Sequence, residues 1–406
     1  MIRFRIVYAI AAFSVTLFTI VSCTDLSNPD DKINWAIIEP LREVVERDIV
    51  IFENQTIPRA VLDSIGNYRA IAFGEMHTIL EEREMIVHLS VQLQSIGVTN
   101  SICAECPQAM DWVYVKLTDL QLDSIPSWAQ YSKLLPIVDS LIEYNSTHRE
   151  KIYLNCIDAN LNETTFVSSL RGYADFLQDN VPFNDYCQAF PESGSHNYSS
   201  KLNELKDLLE NDPASLGFSE GDESIQIVFR MAENELLSIT IRENWNTDYA
   251  TSFGWREDLI KGNADYYLSE SNRTLLFYFG SYHVQKGQFL GSPIEWLGEY
   301  LHYINEYSAG KTISIVGIPM KGEIINGDNT GTLAFDLPMH SKPDDLLRII
   351  GEISSSHYGW LAMTDSIFSD NSIRARYIYK ESELVVPPKD QFDAYFIIPE
   401  GTFAGW

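Results

Sequence analysis

Short runs rich in apolar residues recur along the chain, and each of the first four leads into a polar residue. These four runs cover residues 70–73, 101–104, 152–157 and 275–279. Their side chains do not alternate between apolar and polar, which is typical of strands buried on both faces of a parallel sheet. Two later runs extend the series, at residues 312–318 and 394–398. The pattern therefore predicts a mainly parallel central sheet.

Helical periodicity fills the intervals between these runs. Over residues 80–96, apolar side chains recur at the spacing of one helix face, and Gly97 follows where helices commonly end. The solvated face of this helix is predicted to carry three acidic residues: Glu81, Glu82 and Glu84. Further helices are predicted over residues 135–144 and 293–304. Strands that alternate with helices predict an α/β fold, with helices flanking the sheet.

The interval from residue 160 to residue 270 departs from this alternation. We predict that it is a helical insertion or cap over one end of the sheet, where it would shape a binding pocket. Helical periodicity covers residues 166–178, 200–210 and 223–249. Loop-type composition covers residues 180–197 and 211–221.

Chemically active side chains follow the first four apolar runs. They are Glu75, His77, Glu105, Asp158 and His283. Ligands of open parallel sheets bind at the carboxyl ends of the strands, so side chains at several strand ends point to one site. The sequence therefore predicts an active site built from this set. The five histidines in loop or helix contexts without a carboxylate partner receive no role: His148, His196, His302, His340 and His357.

Two common catalytic motifs are absent from the sequence, the H-E-x-x-H helix and the G-x-x-x-x-G-K-[ST] loop, which argues against common zincin and P-loop chemistry. A G-x-S-x-G string does occur at residues 217–221, but it lies in an interval of loop-type composition, whereas the elbow of serine hydrolases follows a strand. Serine-hydrolase chemistry is therefore not favoured. Ser281, which lies between Gly280 and His283, is predicted to be a turn residue.

The beginning of the chain has the pattern of an export signal. Arg3 and Arg5 precede an uncharged apolar run over residues 6–21, and the tripeptide Ile20-Val21-Ser22 stands directly before Cys23. The run is short for a membrane span and suits the core of a secretory signal peptide. This segment resembles a bacterial lipoprotein precursor, in which the cysteine thiol carries the lipid.

That resemblance implies three parts: a signal peptide over residues 1–22, an acidic tether over residues 23–35 and a folded domain over residues 36–406. The chain would be lipid-anchored in the cell envelope, at the outer membrane or the cell surface. Its contact with the bilayer would run through lipidated, palmitate-bearing Cys23 alone.

Charge and cysteine content narrow the class of function. The chain has 29 basic and 57 acidic side chains, for a net charge of −28. Because phosphate backbones are bound by Lys and Arg, we expect no nucleic-acid partner. Only one C-x-x-C pair occurs, so a zinc or redox site is not favoured. The cysteines after Cys23 are predicted to be buried thiols: Cys103, Cys106, Cys156 and Cys187.

The order of these motifs resembles the erythromycin esterase-like and ChaN-like superfamily. The matching features are Gly74-Glu75-Met76-His77 after a strand, strands ending at Glu105 and Asp158, Arg242-Glu243-Asn244 on a helix, a strand ending in Gly280-x-x-His283, and a closing strand within residues 391–398. The resemblance implies an α/β domain from about residue 65 to the end of the chain. It also implies a hydrolase that acts on an ester or lactone bond of a small-molecule substrate.

The resemblance further implies the roles of individual residues. His77 corresponds to the general base, Glu75 and Glu105 to its carboxylate partners, His283 to a second essential histidine, and Arg242 to an active-site arginine. Asp158, Gly74 and Gly280 would support the site. Pairing of Arg242 with a carboxylate on a neighbouring helical turn is the alternative for that residue.

Several functions stay open at this point. One residue separates Glu75 from His77, a spacing more like the ChaN-like branch, so a haem- or metal-binding lipoprotein is the main alternative. A metal-dependent peptidase like the TIKI proteases and an inactive scaffold are the others. The esterase function requires no cofactor, whereas the binding lipoprotein would hold haem or a metal and the peptidase would use a divalent metal. The sequence does not identify the substrate.

Overall fold

The computed structural model describes residues 33–77, 79–287, 294–325, 332–354, 356–373 and 387–403. The predicted signal peptide, Cys23 and most of the predicted tether lie outside these residues. Within the described ranges, no helix has both the length and the apolar character that crossing a bilayer requires.

Eight strands form a mainly parallel sheet, and helices flank it, which confirms the predicted α/β fold class. The described strands are β1 (Val50–Phe52), β2 (Ala70–Glu75), β3 (Thr99–Pro107), β4 (Tyr153–Asp158), β5 (Thr274–Gly280), β6 (Thr312–Pro319), β7 (Lys321–Ile325), β8 (Thr332–Asp336), β9 (Tyr358–Ala362) and β10 (Ala394–Ile398). All six apolar runs of the sequence lie on strands, except that Ile152 directly precedes β4. The antiparallel pair β7 and β8 forms a separate small sheet.

The described helices are α1 (Trp35–Asp48), α2 (Arg59–Ile65), α3 (Leu80–Ser95), α4 (Asp111–Thr118), α5 (Leu135–Thr147), α6 (Thr165–Phe176), α7 (Val181–Gln188), α8 (Tyr198–Asn211), α9 (Glu223–Asn244), α10 (Tyr249–Glu270), α11 (Leu297–Tyr303), α12 (Leu337–His340), α13 (Leu346–Ser354) and α14 (Pro388–Gln391). Single 3₁₀ turns cover Gln108–Met110, Ser127–Ala129, Pro213–Leu216 and Ser366–Ser369.

The described chain divides into two compact units. The first unit comprises residues 33–96, 278–287 and 298–403, and the second comprises residues 97–277 and 294–297. The boundary falls within β5. Neither unit is a single continuous stretch of sequence.

In the first unit, β6 is parallel to both β2 and β10. Phe73 on β2 is opposite Ile315 on β6, and both side chains are fully buried. Phe73 also lies 6.2 Å from the ring of Phe396 on β10. Burial of a side chain of this size contributes about 1.5–3 kcal/mol, so such contacts hold the strand ends in register. Strands β9 and β1, which the apolar pattern did not predict, add an antiparallel edge.

In the second unit, β3 and β4 are parallel, and the interval between β4 and β5 is helical. Two local predictions within this interval are wrong. Residues 180–197 were predicted as loop, but they contain α7, because Asn180 accepts a hydrogen bond from the Phe183 N–H and Pro182 suits a first helical turn. The helix predicted over residues 223–249 ends at Asn244, and Asp248 caps a second helix, α10. The four cysteines after Cys23 are free and buried, as predicted.

Candidate active site

The end of β2 positions a carboxylate against a histidine in the first unit. All six residues of β2 are buried, and its last residue, Glu75, is only 3% exposed. Glu75 Oε1 lies 2.6 Å from His77 Nδ1. The His77 side chain is 23% exposed, so it has access to solvent while its carboxylate partner does not. The structure thus brings these two predicted site residues into direct contact.

Gly74 permits a close approach of backbone to this pair. A Cβ atom at Gly74 would lie 2.6 Å from Val284 Cγ2 and 2.9 Å from Ser281 Cα. The Ser281 N–H donates a hydrogen bond to the Glu75 carbonyl over 3.1 Å. Any side chain at position 74 would therefore push the turn after β5 away from the end of β2.

His283 lies in that same turn. Its backbone N–H donates to the carbonyl of Gly280, the last residue of β5. The His283 side chain is 4% exposed, and its ring centroid lies 5.6 Å from that of Phe279. The turn thus begins as predicted, with Gly280 at the strand end and Ser281 as a buried turn residue.

Glu82 and Arg83, on the first turn of α3, hold the backbone around His77. Glu82 Oε2 accepts a hydrogen bond of 2.7 Å from the Met76 N–H. Arg83 Nη2 donates to the His77 carbonyl over 2.9 Å. Glu82 is fully buried, so its predicted place on a solvated face is wrong. Burial raises the pKa of Glu82 well above its usual range, and the Glu75 carboxylate adds to that effect.

A helical pattern in the sequence contained the signal for Glu82. Positions 82, 86, 89 and 93 follow the helical period, and Ile86, Leu89 and Leu93 are buried members of that stripe. Because glutamate usually lies in solvent, the sequence analysis did not predict that position 82 is buried.

The ends of β3 and β4 hold a second carboxylate group, in the second unit. Arg256 of α10 donates from Nε to Asp158 Oδ1 over 2.8 Å and from Nη2 to Asp158 Oδ2 over 2.6 Å. The same Nη2 lies 2.8 Å from Glu105 Oε1. Arg256, Glu105 and Asp158 are at most 7% exposed. The structure therefore brings the predicted residues Glu105 and Asp158 together through an arginine that the sequence analysis missed.

Charge compensation stabilises this Arg256 cluster, which consists of Arg256, Glu105 and Asp158. Burial alone would lower the pKa of Arg256, but Asp158 and then Glu105 outweigh it, and the pKa is raised. Lys133 Nζ lies 3.7 Å from Glu105 Oε2 and adds a second cation. The two carboxylates consequently face two positive charges.

Arg242 belongs to a different buried network of the second unit. Its Nη2 lies 2.6 Å from Glu235 Oε1, and it also donates to the Asn160 carbonyl. Glu235 is fully buried and accepts further hydrogen bonds from Tyr198 Oη and Asn160 Nδ2. Burial raises the pKa of Glu235, and Arg242 opposes that shift. The pairing alternative, rather than a place in the Arg256 cluster, therefore describes the contacts of Arg242.

His302, to which the sequence analysis gave no partner, does contact a carboxylate. Its Nε2 lies 3.3 Å from Asp393 Oδ2 and 3.1 Å from Ser314 Oγ. Lys286 also pairs with Asp393. Burial would raise the pKa of Asp393, but His302 and Lys286 outweigh burial and lower it. His302 and Asp393 are distant in sequence, which explains why no local pattern revealed the pair.

The sequence matches no protein-family model and no curated protein. Its fold is similar to solved structures. A Bacillus cereus protein is 14% identical with a TM-score of 0.65, over 90% of this chain and 98% of that one. A succinoglycan biosynthesis protein is 12% identical with a TM-score of 0.65, over 91% and 99% of the two chains. A mutant of the erythromycin esterase EreC, in its open conformation, is 13% identical with a TM-score of 0.61, over 88% and 98%. The predicted resemblance to erythromycin esterase-like proteins is thus confirmed at the level of the fold.

Proposed function

We propose that this chain is a hydrolase that uses His77 to activate water against an ester or lactone bond of a small molecule. The observation that carries the proposal is the 2.6 Å contact between Glu75 Oε1 and His77 Nδ1. A buried carboxylate beside a partly exposed imidazole is the arrangement of a general base with its orienting group.

The contact with Glu75 supports one tautomer of the His77 imidazole. With the Nδ1–H donated to Glu75, the neutral ring presents Nε2 as its acceptor. Water gives a proton to Nε2 while its oxygen bonds to the acyl carbon, and the imidazolium that forms is stabilised by Glu75. The tetrahedral intermediate then expels the alkoxide, which takes the proton from His77. The products are an acid and an alcohol.

The similarity to the erythromycin esterase EreC supports this reaction class, although at 13% identity it extends to the fold alone. The substrate proposed here is therefore a class, esters and lactones, and a macrolide is one member of the test panel. The sequence interpretation in which Glu105, His283 and Arg242 also serve the reaction stays a prediction.

The decisive experiment measures turnover by the full chain on aryl esters, simple lactones and a macrolide lactone. His77→Ala is expected to lower kcat/KM by about 10²- to 10⁴-fold, the contribution of a positioned general base. Glu75→Gln is expected to lower kcat/KM by a similar factor, because an amide can donate to Nδ1 and favour the wrong tautomer of His77. His88→Ala is the matched control, since His88 is an exposed histidine of α3, and it should keep the parental rate.

Equal rates for His77→Ala and the parent would contradict the assignment of the base. Absence of turnover on every member of the panel would contradict ester hydrolysis. Activity that a chelator abolishes and manganese or zinc restores would instead favour the metal-dependent peptidase. A shift of the haemin Soret band that His77→Ala removes would favour haem binding.

Lipid attachment at Cys23, export and an envelope location are likewise proposals. They depend on residues 1–32, which lie outside the described chain. The absence of a nucleic-acid partner also stays a prediction.

A further inference from the structure

We propose that Glu82 is a positioning residue for His77: from the buried side of α3 it fixes the backbone that joins the carboxylate partner to the base. The inference rests on the function proposed above, since it concerns the geometry of the same pair. It assigns a role to a side chain that the sequence analysis placed on a solvated face because of its residue type.

The hydrogen bond to Met76 carries the argument. Met76 is the one residue between Glu75 and His77, and its N–H donates to Glu82 Oε2 over 2.7 Å. A shift of this peptide group would change the separation of Glu75 Oε1 and His77 Nδ1, which is 2.6 Å. The loop then turns back, because the Ile79 N–H donates to the Met76 carbonyl.

The neighbouring residue of α3 acts on the other side of the base. Arg83, which is 1% exposed, donates from Nη2 to the carbonyl of His77 over 2.9 Å. Two consecutive side chains of one helix thus contact the backbone at two consecutive residues, Met76 and His77. Glu82 is therefore half of a two-point attachment of the strand end to α3.

Gly317 leaves space for the Glu82 carboxyl group because it has no side chain. A Cβ atom at Gly317, on β6, would lie 2.9 Å from Glu82 Oε1 and 3.3 Å from the ring of Phe73. Within the described part of the chain, Oε1 has no hydrogen-bond partner, although the residue is fully buried. An uncompensated polar atom of this kind costs free energy, so an apolar side chain would be favoured here if packing were its only purpose.

The charge state of Glu82 suits this role. Burial raises its pKa well above the usual range, the carboxylates of Glu75 and Glu81 add to the effect, and the Met76 N–H and Arg83 oppose it. Tyr278, on β5, is a further titratable group near Glu82, and burial together with Glu75 and Glu82 raises the pKa of that phenol. The raised pKa favours the neutral acid, a form that would accept the Met76 hydrogen bond without placing a second negative charge beside Glu75.

The test compares two substitutions that differ in one property. Glu82→Gln keeps an acceptor oxygen for the Met76 N–H and has the shape of the neutral acid, so kcat should stay within about threefold of the parent. Glu82→Met has a similar size but leaves the Met76 N–H without its acceptor, and kcat should fall about 10- to 100-fold with little change in KM. Glu84→Gln, on an exposed residue of the same helix, is the control and should match the parent.

The pH dependence separates positioning from simple packing. Because the pKa of Glu82 is raised in the folded state, its contribution to stability is full below the ordinary glutamate pKa and is lost as pH rises through the folded value. The Tm advantage of Glu82→Gln over the parent should therefore be absent near pH 4 and grow towards pH 8. The alkaline limb of the parental kcat profile should also move to higher pH in Glu82→Gln.

A readout independent of turnover distinguishes failure of this inference from failure of the proposed function. The Nδ1–H proton resonance of His77, assigned by its loss in His77→Ala, should persist in Glu82→Gln and shift or broaden in Glu82→Met. An unchanged resonance and unchanged kcat in a folded Glu82→Met protein would overturn the inference. Equal losses in the Gln and Met variants would also overturn it, because they would mean that an ionised carboxylate is required.

Discussion

The ends of β2 in the first unit and of β3 and β4 in the second unit carry carboxylates in different surroundings. At β2, the Glu75 carboxylate faces His77, a residue type that commonly serves as a general base. At β3 and β4, Glu105 and Asp158 share Arg256, which remains charged at any pH at which the protein is folded.

The partner, rather than the carboxylate, decides what each group can do. The Glu75 and His77 pair can transfer a proton because one member is a weak base with 23% of its side chain exposed. The Arg256 cluster, buried and held by three hydrogen bonds, has no such member. We therefore interpret the first as chemical and the second as an electrostatic lock between α10 and the two strand ends.

The largest expected effect tests the lock. Arg256→Met should lower the free energy of unfolding by about 3–5 kcal/mol, because it leaves two buried carboxylates without their cation. Urea unfolding measures the loss. Arg59→Met is the control, since the Arg59 side chain is 68% exposed and forms an i, i+4 pair with Asp63. This substitution should lower the free energy of unfolding by less than about 0.5 kcal/mol.

A compensated variant makes the comparison sharper. Adding Glu105→Gln and Asp158→Asn to Arg256→Met removes both buried anions, so much of the lost stability should return. A loss below about 1 kcal/mol in Arg256→Met alone would mean that the cluster is not a lock. The distinction between the two regions would then fail.

The same comparison shows what the sequence could predict. The six apolar runs became strands because burial on both faces imposes a local composition, and that signal needs no knowledge of partners. Glu75 and His77 are two residues apart, so their contact was also within reach of a local pattern.

Arg256 was missed for a physical reason. Its contacts join residues 98 and 151 positions apart in sequence, and no local spacing encodes them. It also lies on α10, where the predicted helix of residues 223–249 had already ended. Glu82 differs, because its helical position did reveal burial, and only the preference of glutamate for water argued the other way.

Arg242 gives the next largest effect and tests a role implied by the family resemblance. Arg242→Met should lower the free energy of unfolding by about 2 kcal/mol, which is less than the loss for Arg256→Met. The loss is smaller because Glu235 retains its contacts with Tyr198 and Asn160 and can take up a proton. The pKa of Glu235 is already raised, so the loss should shrink as pH falls and the acid becomes neutral.

Activity distinguishes the two interpretations of Arg242. If the residue only supports the fold, kcat well below the unfolding temperature should stay within about threefold of the parent. A specific fall of kcat by 10²-fold or more, at unchanged stability, would place Arg242 among the catalytic residues, as the resemblance implies.

Lys133 gives the smallest expected effect and defines the limit of the lock. Its Nζ lies 3.7 Å from Glu105 Oε2, too far for a hydrogen bond, although the Lys133 side chain is only 11% exposed. Lys133→Met should therefore lower the free energy of unfolding by about 1 kcal/mol or less. The loss should be smaller in high salt, and urea unfolding at two ionic strengths measures it. A loss near that of Arg256→Met would mean that Glu105 depends equally on both cations. The second unit would then hold a four-charge network, and Arg256 would not by itself account for its difference from the Glu75 and His77 pair.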